Sequence, residues 1–254
     1  EAMPGGVGEL AGLPAAMPHG PLVEVGPDLW VVQGTVKLPP FKFSRHMTVV
    51  RLESKELVLI NAVRLDEEHC EELARLGRVA HLVRLGSMHG MDDAFYVRQY
   101  GCKVWALQGM EHKHGVSTTH VLEEGGDVPI PGAGVFVFRG LQGHQEGALL
   151  LPGATLAGGD ALVTVDALQN HEEPDKFATL HTRIFLYLMG FSGRCHIGPI
   201  WAKEVTGGKP QALKGEYRRL LDAFPAFEAL ISGHGYCLEG ARAAAEATVR
   251  KFFK

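Results

Sequence analysis

The sequence has few cysteines, no basic cluster and no long hydrophobic run. The four cysteines form no CxxC pair, which argues against a structural zinc knuckle or a dense disulfide framework. The longest apolar run, residues 184–191, is about a third of the length that spans a bilayer. A net charge of −4 without any Lys/Arg run favours neither nucleic acid nor anionic lipid as a partner. We therefore expect a small-molecule substrate, no nucleic acid and no membrane.

The N-terminal stretch also lacks a basic region followed by an apolar core, so no secretory signal is visible and we expect a cytoplasmic protein. Residues 1–20 are rich in Gly, Pro and Ala and show no hydrophobic periodicity, which predicts a flexible arm. Residues 21–254 are long enough and apolar enough to form one domain. A homodimer is one oligomeric form that this composition allows.

Apolar patterning predicts a mixed fold of strands and helices. Short runs bounded by turn residues predict strands at residues 47–52, 57–60, 79–85, 135–138, 148–151, 155–157 and 229–232. Helices are predicted after Asp66, around residues 94–99, over residues 175–189 and at the alanine-rich C-terminus. Two halves of mixed sheet, each backed by helices, predict an α/β (α+β) protein built as a four-layer αββα sandwich.

Ligand-capable side chains occur in four glycine-containing loops, each next to an apolar strand. Loops at strand ends are where a rigid scaffold displays functional groups, and glycine allows the tight turns that orient them. The four loops are residues 87–93 (SMHGMDD), 143–147 (GHQEG), 158–161 (GGDA) and 232–235 (SGHG).

In order and approximate spacing, these loops resemble the motifs of the metallo-β-lactamase superfamily, which are HxHxDH, GH, GD and GHG. The stretch GHQEGALLLPGATLAGGDAL (143–162) resembles the central pair, and SGHG resembles the last motif. Residues 45–65 and 76–90 resemble a divergent branch, made up of domains of unknown function, in which the first motif is altered. The resemblance runs from Val23 to the C-terminus and implies metal-dependent hydrolysis in an αββα fold.

The resemblance also implies the identity of the metal ligands. They are expected at His89, His144, Asp160 and His234, with Ser87 in place of the first histidine.

The rest of the first motif falls on Met91 and Asp92, or, with a one-residue insertion, on Asp92 and Asp93. We prefer the insertion because it keeps an aspartate in its expected role. Asp92 and Asp93 are therefore predicted both as metal ligands and as the catalytic carboxylates that orient water or accept its proton.

Zinc takes about four ligands and leaves one position open in catalytic sites. His89, His144 and Asp160 would suffice for one ion, whereas a second, more oxygen-rich ion would use Asp160, His234 and Asp92 or Asp93. Because a serine hydroxyl is a poor ligand, we favour a single or weakly bound metal. The expected cofactors are one or two divalent ions, with zinc first and iron or manganese as alternatives, that activate water against an ester, lactone, amide or phosphoester.

The alternative is a vestigial, metal-free site that binds a small ligand or partner without catalysis. It is motivated by Ser87 and Met91 at ligand positions, and by Asn61 where many relatives have an aspartate. His171 and His196 are expected to be ordinary histidines. The apolar run at residues 184–191 is expected to be core rather than pocket lining.

Overall fold

Two β-sheets stack face to face in this computed structural model, which describes residues 12–173 and 175–254. The first sheet has seven strands in chain order, of which the first four pair in antiparallel fashion and the fourth to the seventh pair in parallel. These strands are Val23–Gly26 (β1), Leu29–Leu38 (β2), Phe41–Arg51 (β3), Glu56–Ile60 (β4), Arg78–Arg84 (β5), Lys103–Leu107 (β6) and His120–Leu122 (β7).

The second sheet is built from five strands in the second half of the chain. They are Gly134–Val137 (β8), Gly147–Leu151 (β9), Ala161–Val163 (β10), Ala229–Ile231 (β13) and Leu238–Glu239 (β14). Their order is β14-β13-β10-β9-β8, and β10 pairs with β13 in parallel. A separate two-stranded ribbon consists of Gln169–His171 (β11) and Gly193–His196 (β12).

Six α-helices are present in the described residues. They are Glu67–Leu76 (α1), Asp93–Tyr100 (α2), Leu180–Leu188 (α3), Pro199–Glu204 (α4), Lys214–Ala223 (α5) and Ala241–Phe252 (α6). The sequence signals for α1 are confirmed, because the Asp66 carboxylate accepts from the His69 backbone N–H at 3.0 Å and the helix ends at Gly77. None of these helices combines the length and apolar character needed to cross a membrane.

Side-chain alternation along the strands divides the interior into three apolar layers. In β4, Val58 and Ile60 face the second sheet, whereas Leu57 and Leu59 pack on the opposite side with residues of α1 and α2. In the second sheet, Leu230 faces outward into a layer that it shares with residues of α4, α5 and α6. Helices therefore cover both outer faces, and the predicted αββα sandwich is confirmed.

The predicted strand at residues 155–157 is wrong. Those residues lie in the turn between β9 and β10, and the strand begins at Ala161. Turn-forming residues stand on both sides, because only four residues separate the Pro152-Gly153 pair from the Gly158-Gly159 pair, and such a segment is short for a strand.

The apolar run at residues 184–191 is not core, contrary to the sequence expectation. Ile184, Tyr187 and Leu188 are 54%, 70% and 75% exposed, and Thr182 is the buried residue of α3. The helix is packed on one side only, where Phe185 stacks on Phe41 of β3 at 4.0 Å between ring centroids. The predicted helix at residues 175–189 is also shorter and starts at Leu180.

Residues 12–20 lie against the first sheet. The Thr35 hydroxyl donates to the Pro18 carbonyl at 2.5 Å, the Arg64 guanidinium donates to the Pro14 carbonyl, and Leu13 packs against the apolar layer under α1 and α2. The domain boundary at residue 20 stays a prediction. Residues 1–11 of the predicted arm lie outside the described residues.

Replacing Leu230 by alanine should lower the free energy of unfolding by about 2–5 kcal/mol, because it opens a cavity in the layer between the second sheet and its helices. The same change at exposed Leu188 is the matched control and should stay within about 0.5 kcal/mol of the parent. Urea unfolding measures both values. Equal destabilisation by the two substitutions would contradict the assignment of the layers.

Candidate metal centre

Two imidazoles and one carboxylate converge at one edge of the sandwich. The ligand-capable atoms of His89, Asp166 and His234 all lie within 4.8 Å of one another. His89 Nε2 is 3.4 Å from Asp166 Oδ2, and His234 Nε2 is 3.4 Å from Asp166 Oδ1. The carboxylate therefore lies between the two rings, with one oxygen directed at each.

The parallel pairing of β10 and β13 explains why two of these residues meet. Val163 and Ile231 are register partners at the ends of their strands, and Thr164 N–H extends the pairing by donating to the Ile231 carbonyl at 3.0 Å. Asp166 and His234 each follow three residues after those strand ends. Since parallel strands finish at the same sheet edge, the two loops lie side by side.

His89 comes from the other sheet, in the loop after β5. That loop is joined to the second sheet by backbone hydrogen bonds from Gly147 N–H to the Leu85 carbonyl at 2.8 Å and from Ser87 N–H to the Gln145 carbonyl at 2.9 Å. The site is thus assembled across the two sheets at their common edge.

His234 is fixed in one tautomer by the first sheet. Its Nδ1–H donates to the Ser44 carbonyl at 2.7 Å, which leaves the Nε2 lone pair facing Asp166. Burial lowers the pKa of His234, against the opposing effect of the Asp166 charge, so the ring is a neutral nitrogen donor near pH 7. His46 holds the same loop, because its backbone N–H donates to the Gly233 carbonyl and its Nδ1–H donates to the Ser232 carbonyl.

Asp166 is held ionised by its neighbours. Burial by itself would raise its pKa, but the hydrogen bond from His89, favourable electrostatic interactions with the His89 and His234 rings, and a bond from Gln169 Nε2 at 3.0 Å keep that pKa below the usual value. The loop therefore presents a negative carboxylate between two nitrogen donors.

This donor set fits a divalent metal ion. Two ligand atoms that share one tetrahedral zinc with bonds of about 2.0–2.1 Å lie about 3.3 Å apart. Each histidine Nε2 lies 3.4 Å from a different Asp166 oxygen, and the ligand atoms of the three residues lie within 4.8 Å of one another, which is near this spacing. Two imidazoles and a carboxylate also suit iron. Three protein ligands leave at least one coordination position for water or substrate.

The structure does not bring Asp160 to this cluster, so its placement there is corrected. Asp160 precedes β10, whereas Asp166 follows it, which puts the two carboxylates at opposite ends of the strand. Asp160 Oδ1 instead accepts the Gly153 N–H at 3.0 Å within the β9–β10 turn. Asp160 was assigned because its Gly-Asp pair matches the GD motif. The apolar, β-branched run ALVTV directly precedes Asp166, and this run is the sequence signal that an aspartate follows a strand there.

Asp92 and Asp93 also lie outside the cluster, which overturns their predicted placement. Asp92 forms a buried ion pair with Arg45 and accepts the Arg64 N–H at 2.7 Å. Asp93 is buried in α2, with His112 Nδ1 3.8 Å from its Oδ2. Asp92 and Asp93, at the end of the first motif, thus lie where α2 meets the first sheet.

His144 and Ser87 form a separate contact beside the site. Ser87 Oγ lies 3.3 Å from His144 Nδ1 and accepts the Gln145 N–H at 3.1 Å, while His144 Nε2 is 3.6 Å from a Glu204 carboxylate oxygen. His144 is therefore not among the three clustered ligands. Ser87, at the expected position of a ligand, connects two loops.

A cavity of about 510 Å³ opens from the cluster, and its walls are largely apolar. His89, Asp166 and His234 line the cavity together with aromatic residues of β3, the α3 region and α4. The aromatic lining residues are Phe41, Phe43, Phe185, Phe191 and Trp201. Residues 184–191 therefore contribute to a pocket, which is the role that the sequence expectation had ranked second.

Two further histidine groups are present in the described residues. His171 Nδ1 lies 3.3 Å from His196 Nε2, and burial lowers the pKa of His171 to about 3 and that of His196 to about 4, so both rings are neutral. His19, Asp66 and His69 also cluster, but His19 Nε2 accepts the Asp66 N–H and the Asp66 carboxylate caps α1. Those donors are already used by the fold.

Comparison with solved structures identifies the architecture. The DIM-1 metallo-β-lactamase superposes with a TM-score of 0.62 at 12% identity, covering 94% of this chain and 100% of that chain. A metallo-β-lactamase from Hirschia baltica gives a TM-score of 0.55 at 15% identity, covering 91% and 97%. The chain has the metallo-β-lactamase fold. The FIM-1 enzyme from Pseudomonas aeruginosa, described in a mono-zinc form, shares this fold with a TM-score of 0.59 at 10% identity, covering 92% and 97%.

Neither a protein-family profile nor a curated protein sequence matches the chain. The likeness to the metallo-β-lactamases therefore lies in the fold, with low sequence identity throughout. The predicted divergent branch of the superfamily stays a prediction.

Asp92→Asn should destabilise the protein by about 3–5 kcal/mol without removing metal binding, because it leaves the buried Arg45 charge without its partner. The matched control is Asp28→Asn, which breaks the exposed pair with Arg51 and should cost at most about 1 kcal/mol. Urea unfolding and zinc titration test this expectation. Loss of zinc binding by folded Asp92→Asn would return that residue to the site.

The stability of the fold should decline as the pH falls from about 6.5 towards 4. Burial lowers the pKa of His46 to about 4, whereas the unfolded chain binds this proton near pH 6.5, so in this window the unfolded state takes up more protons. His46→Asn keeps a hydrogen-bond donor for the Ser232 carbonyl. Between pH 6.5 and 4 its free energy of unfolding should fall by on the order of 3 kcal/mol less than that of the parent. Urea unfolding at a series of pH values measures the slope, and an unchanged slope in folded His46→Asn would contradict this expectation.

Proposed function

We propose that this protein is a hydrolase that uses one divalent metal ion held by His89, Asp166 and His234. The observation that carries the proposal is the convergence of these three donors from separate loops within 4.8 Å of one another. The shared architecture of the metallo-β-lactamases, including one in a mono-zinc form, supports a single ion at this edge of the fold. Zinc is the first choice, with iron or manganese as alternatives.

Each residue has a defined role in this proposal. His89 and His234 donate nitrogen lone pairs, and the Ser44 carbonyl keeps the His234 ring oriented. Asp166 supplies one negative charge, which offsets half of the charge of a dication, and Gln169 restrains one of its oxygens. When bound, the ion supplies Lewis acidity and makes a water-derived nucleophile available near neutral pH.

The cavity favours a substrate with an apolar group next to the scissile bond. Its sides are built largely from aromatic and aliphatic residues. Two arginines of the lining are already engaged: Arg45 pairs with Asp92, and Arg84 donates to the Gly86 and Ser87 carbonyls at 3.2 and 2.6 Å. A neutral ester, lactone or amide, or a phosphoester with a large apolar group, therefore fits better than a small polyanion.

A metal-free binding protein is the second candidate. It is favoured by His144, which contacts Ser87 and Glu204 instead of joining the cluster, so a fuller ligand set is not assembled. In this case the same apolar cavity would hold a small molecule without turnover. Metal uptake by the purified protein separates the two candidates.

Asp166→Asn should weaken zinc binding at least about 100-fold and abolish metal-dependent hydrolysis of p-nitrophenyl hexanoate, because it removes the only carboxylate of the three-residue cluster. Asp160→Asn is the matched control and should bind zinc like the parent, since Asp160 lies in the β9–β10 turn. Calorimetric titration and elemental analysis give the metal content. A parent protein that takes up neither zinc, iron nor manganese would overturn the hydrolase and leave the binding protein.

A further inference from the structure

Glu146 is a buried carboxyl group that the proposed chemistry does not use. It lies in the loop before β9, is 1% exposed, and has no role in the expected ligand set. Its Oε1 accepts the backbone N–H of Asp166 at 2.7 Å and that of Ala167 at 2.9 Å. The carboxyl group therefore holds the backbone of Asp166 by a hydrogen bond, and the side chain of Asp166 lies between His89 and His234.

The backbone of Glu146 is tied to the loop that carries His89. Gly86 and Glu146 form an antiparallel bridge, and flanking bonds join Ser87 to Gln145 and Gly147 to Leu85. A Cβ on Gly86 would lie 2.9 Å from Glu146 Oε2, so the absence of a side chain there leaves room for the carboxyl group. One residue thus connects the His89 loop to the Asp166 loop.

We infer that Glu146 is a positioning residue that sets the distance between the His89 loop and the Asp166 loop, and thereby the geometry of the metal centre. The inference rests on the proposed function for its metal readout. For this role, a side-chain oxygen at residue 146 has to accept the two backbone N–H groups of Asp166 and Ala167. A side chain as long as that of glutamate is needed to reach them. Outer contacts of this kind change metal affinity by about 10–100-fold when removed.

Co²⁺ titration followed by visible absorption tests the inference, because the spectrum reports the geometry of the bound ion. Glu146→Gln keeps a carbonyl oxygen at the same reach and should bind Co²⁺ within about threefold of the parent with the same spectrum. Glu146→Leu removes the acceptor and should weaken binding about 10-fold or more and alter the spectrum. Glu146→Asp, which withdraws the carboxylate by one methylene, serves the same purpose if the leucine variant does not fold.

Glu124→Gln is the structural control. Glu124 Oε1 also accepts a backbone N–H, that of Val137 at 3.1 Å, but away from the cluster. Its substitution should leave Co²⁺ affinity and spectrum unchanged even if stability falls. Folded Glu146→Leu or Glu146→Asp that binds Co²⁺ like the parent would overturn the inference, and so would a glutamine variant as defective as leucine.

A metal-free readout separates this inference from the proposed function. Amide resonances of Asp166 and Ala167 should lie downfield and exchange slowly in the parent and in Glu146→Gln, and should shift upfield and exchange at least about 10-fold faster in Glu146→Leu. Unchanged amides in Glu146→Leu would overturn the positioning role whether or not metal binds. A parent that binds no Co²⁺ or zinc but shows these amide changes would overturn only the metal-dependent function.

Discussion

The parallel pairing of β10 with β13 is the constraint on which the site depends. Antiparallel neighbours would send the loop after β13 to the opposite edge, and His234 could not face Asp166. The two strands are only three residues long, so their direction is secured by the apolar layers on both faces rather than by their hydrogen bonds alone. The packing of the sandwich is therefore a condition for the chemistry at its edge.

The candidate metal centre has fewer ligands than the sequence predicted. Ser87, Asp92, Asp93 and His144 occupy positions where ligands were expected. Ser87, Asp92 and His144 contact other residues of the fold instead, and Asp93 is buried in α2 with His112 Nδ1 3.8 Å away. What remains is two imidazoles and one carboxylate, each contributed by a different loop. With only three donors, the affinity of such a set for a metal ion would depend more strongly on the orientation of each donor than it would in a larger set.

Much of this architecture could be predicted from the sequence. Strand and helix patterning, together with the order of the four loops, predicted the αββα sandwich, and the structure brings two of the predicted residues, His89 and His234, close together. Asp160 was predicted because its Gly-Asp pair matches a known motif, although the apolar run that forms β10 comes after it. A short strand between glycines cannot be located from local pattern alone, since its position is decided by pairing with β9 and β13.

The other differences arose from tertiary contacts that no local pattern encodes. The use of Asp92 depends on Arg45, which is distant in the chain, and the role of Glu146 depends on backbone groups of the Asp166 loop. The apolar run in α3 has the composition of core but lies at the rim of the sandwich. Composition indicates how apolar a segment is, and only the arrangement of its neighbours determines whether it is covered.

The donors of the cavity and much of its apolar lining come from different parts of the chain. The donors follow β5, β10 and β13 at the edge of the sandwich, whereas Phe41, Phe43, Phe185 and Leu186 of the lining belong to β3 and to α3, which contributes little to the interior. Substitutions in α3 can therefore reshape what the cavity admits at small energetic cost to folding. Over evolutionary time the lining of this cavity can therefore change shape while the three clustered donors stay the same.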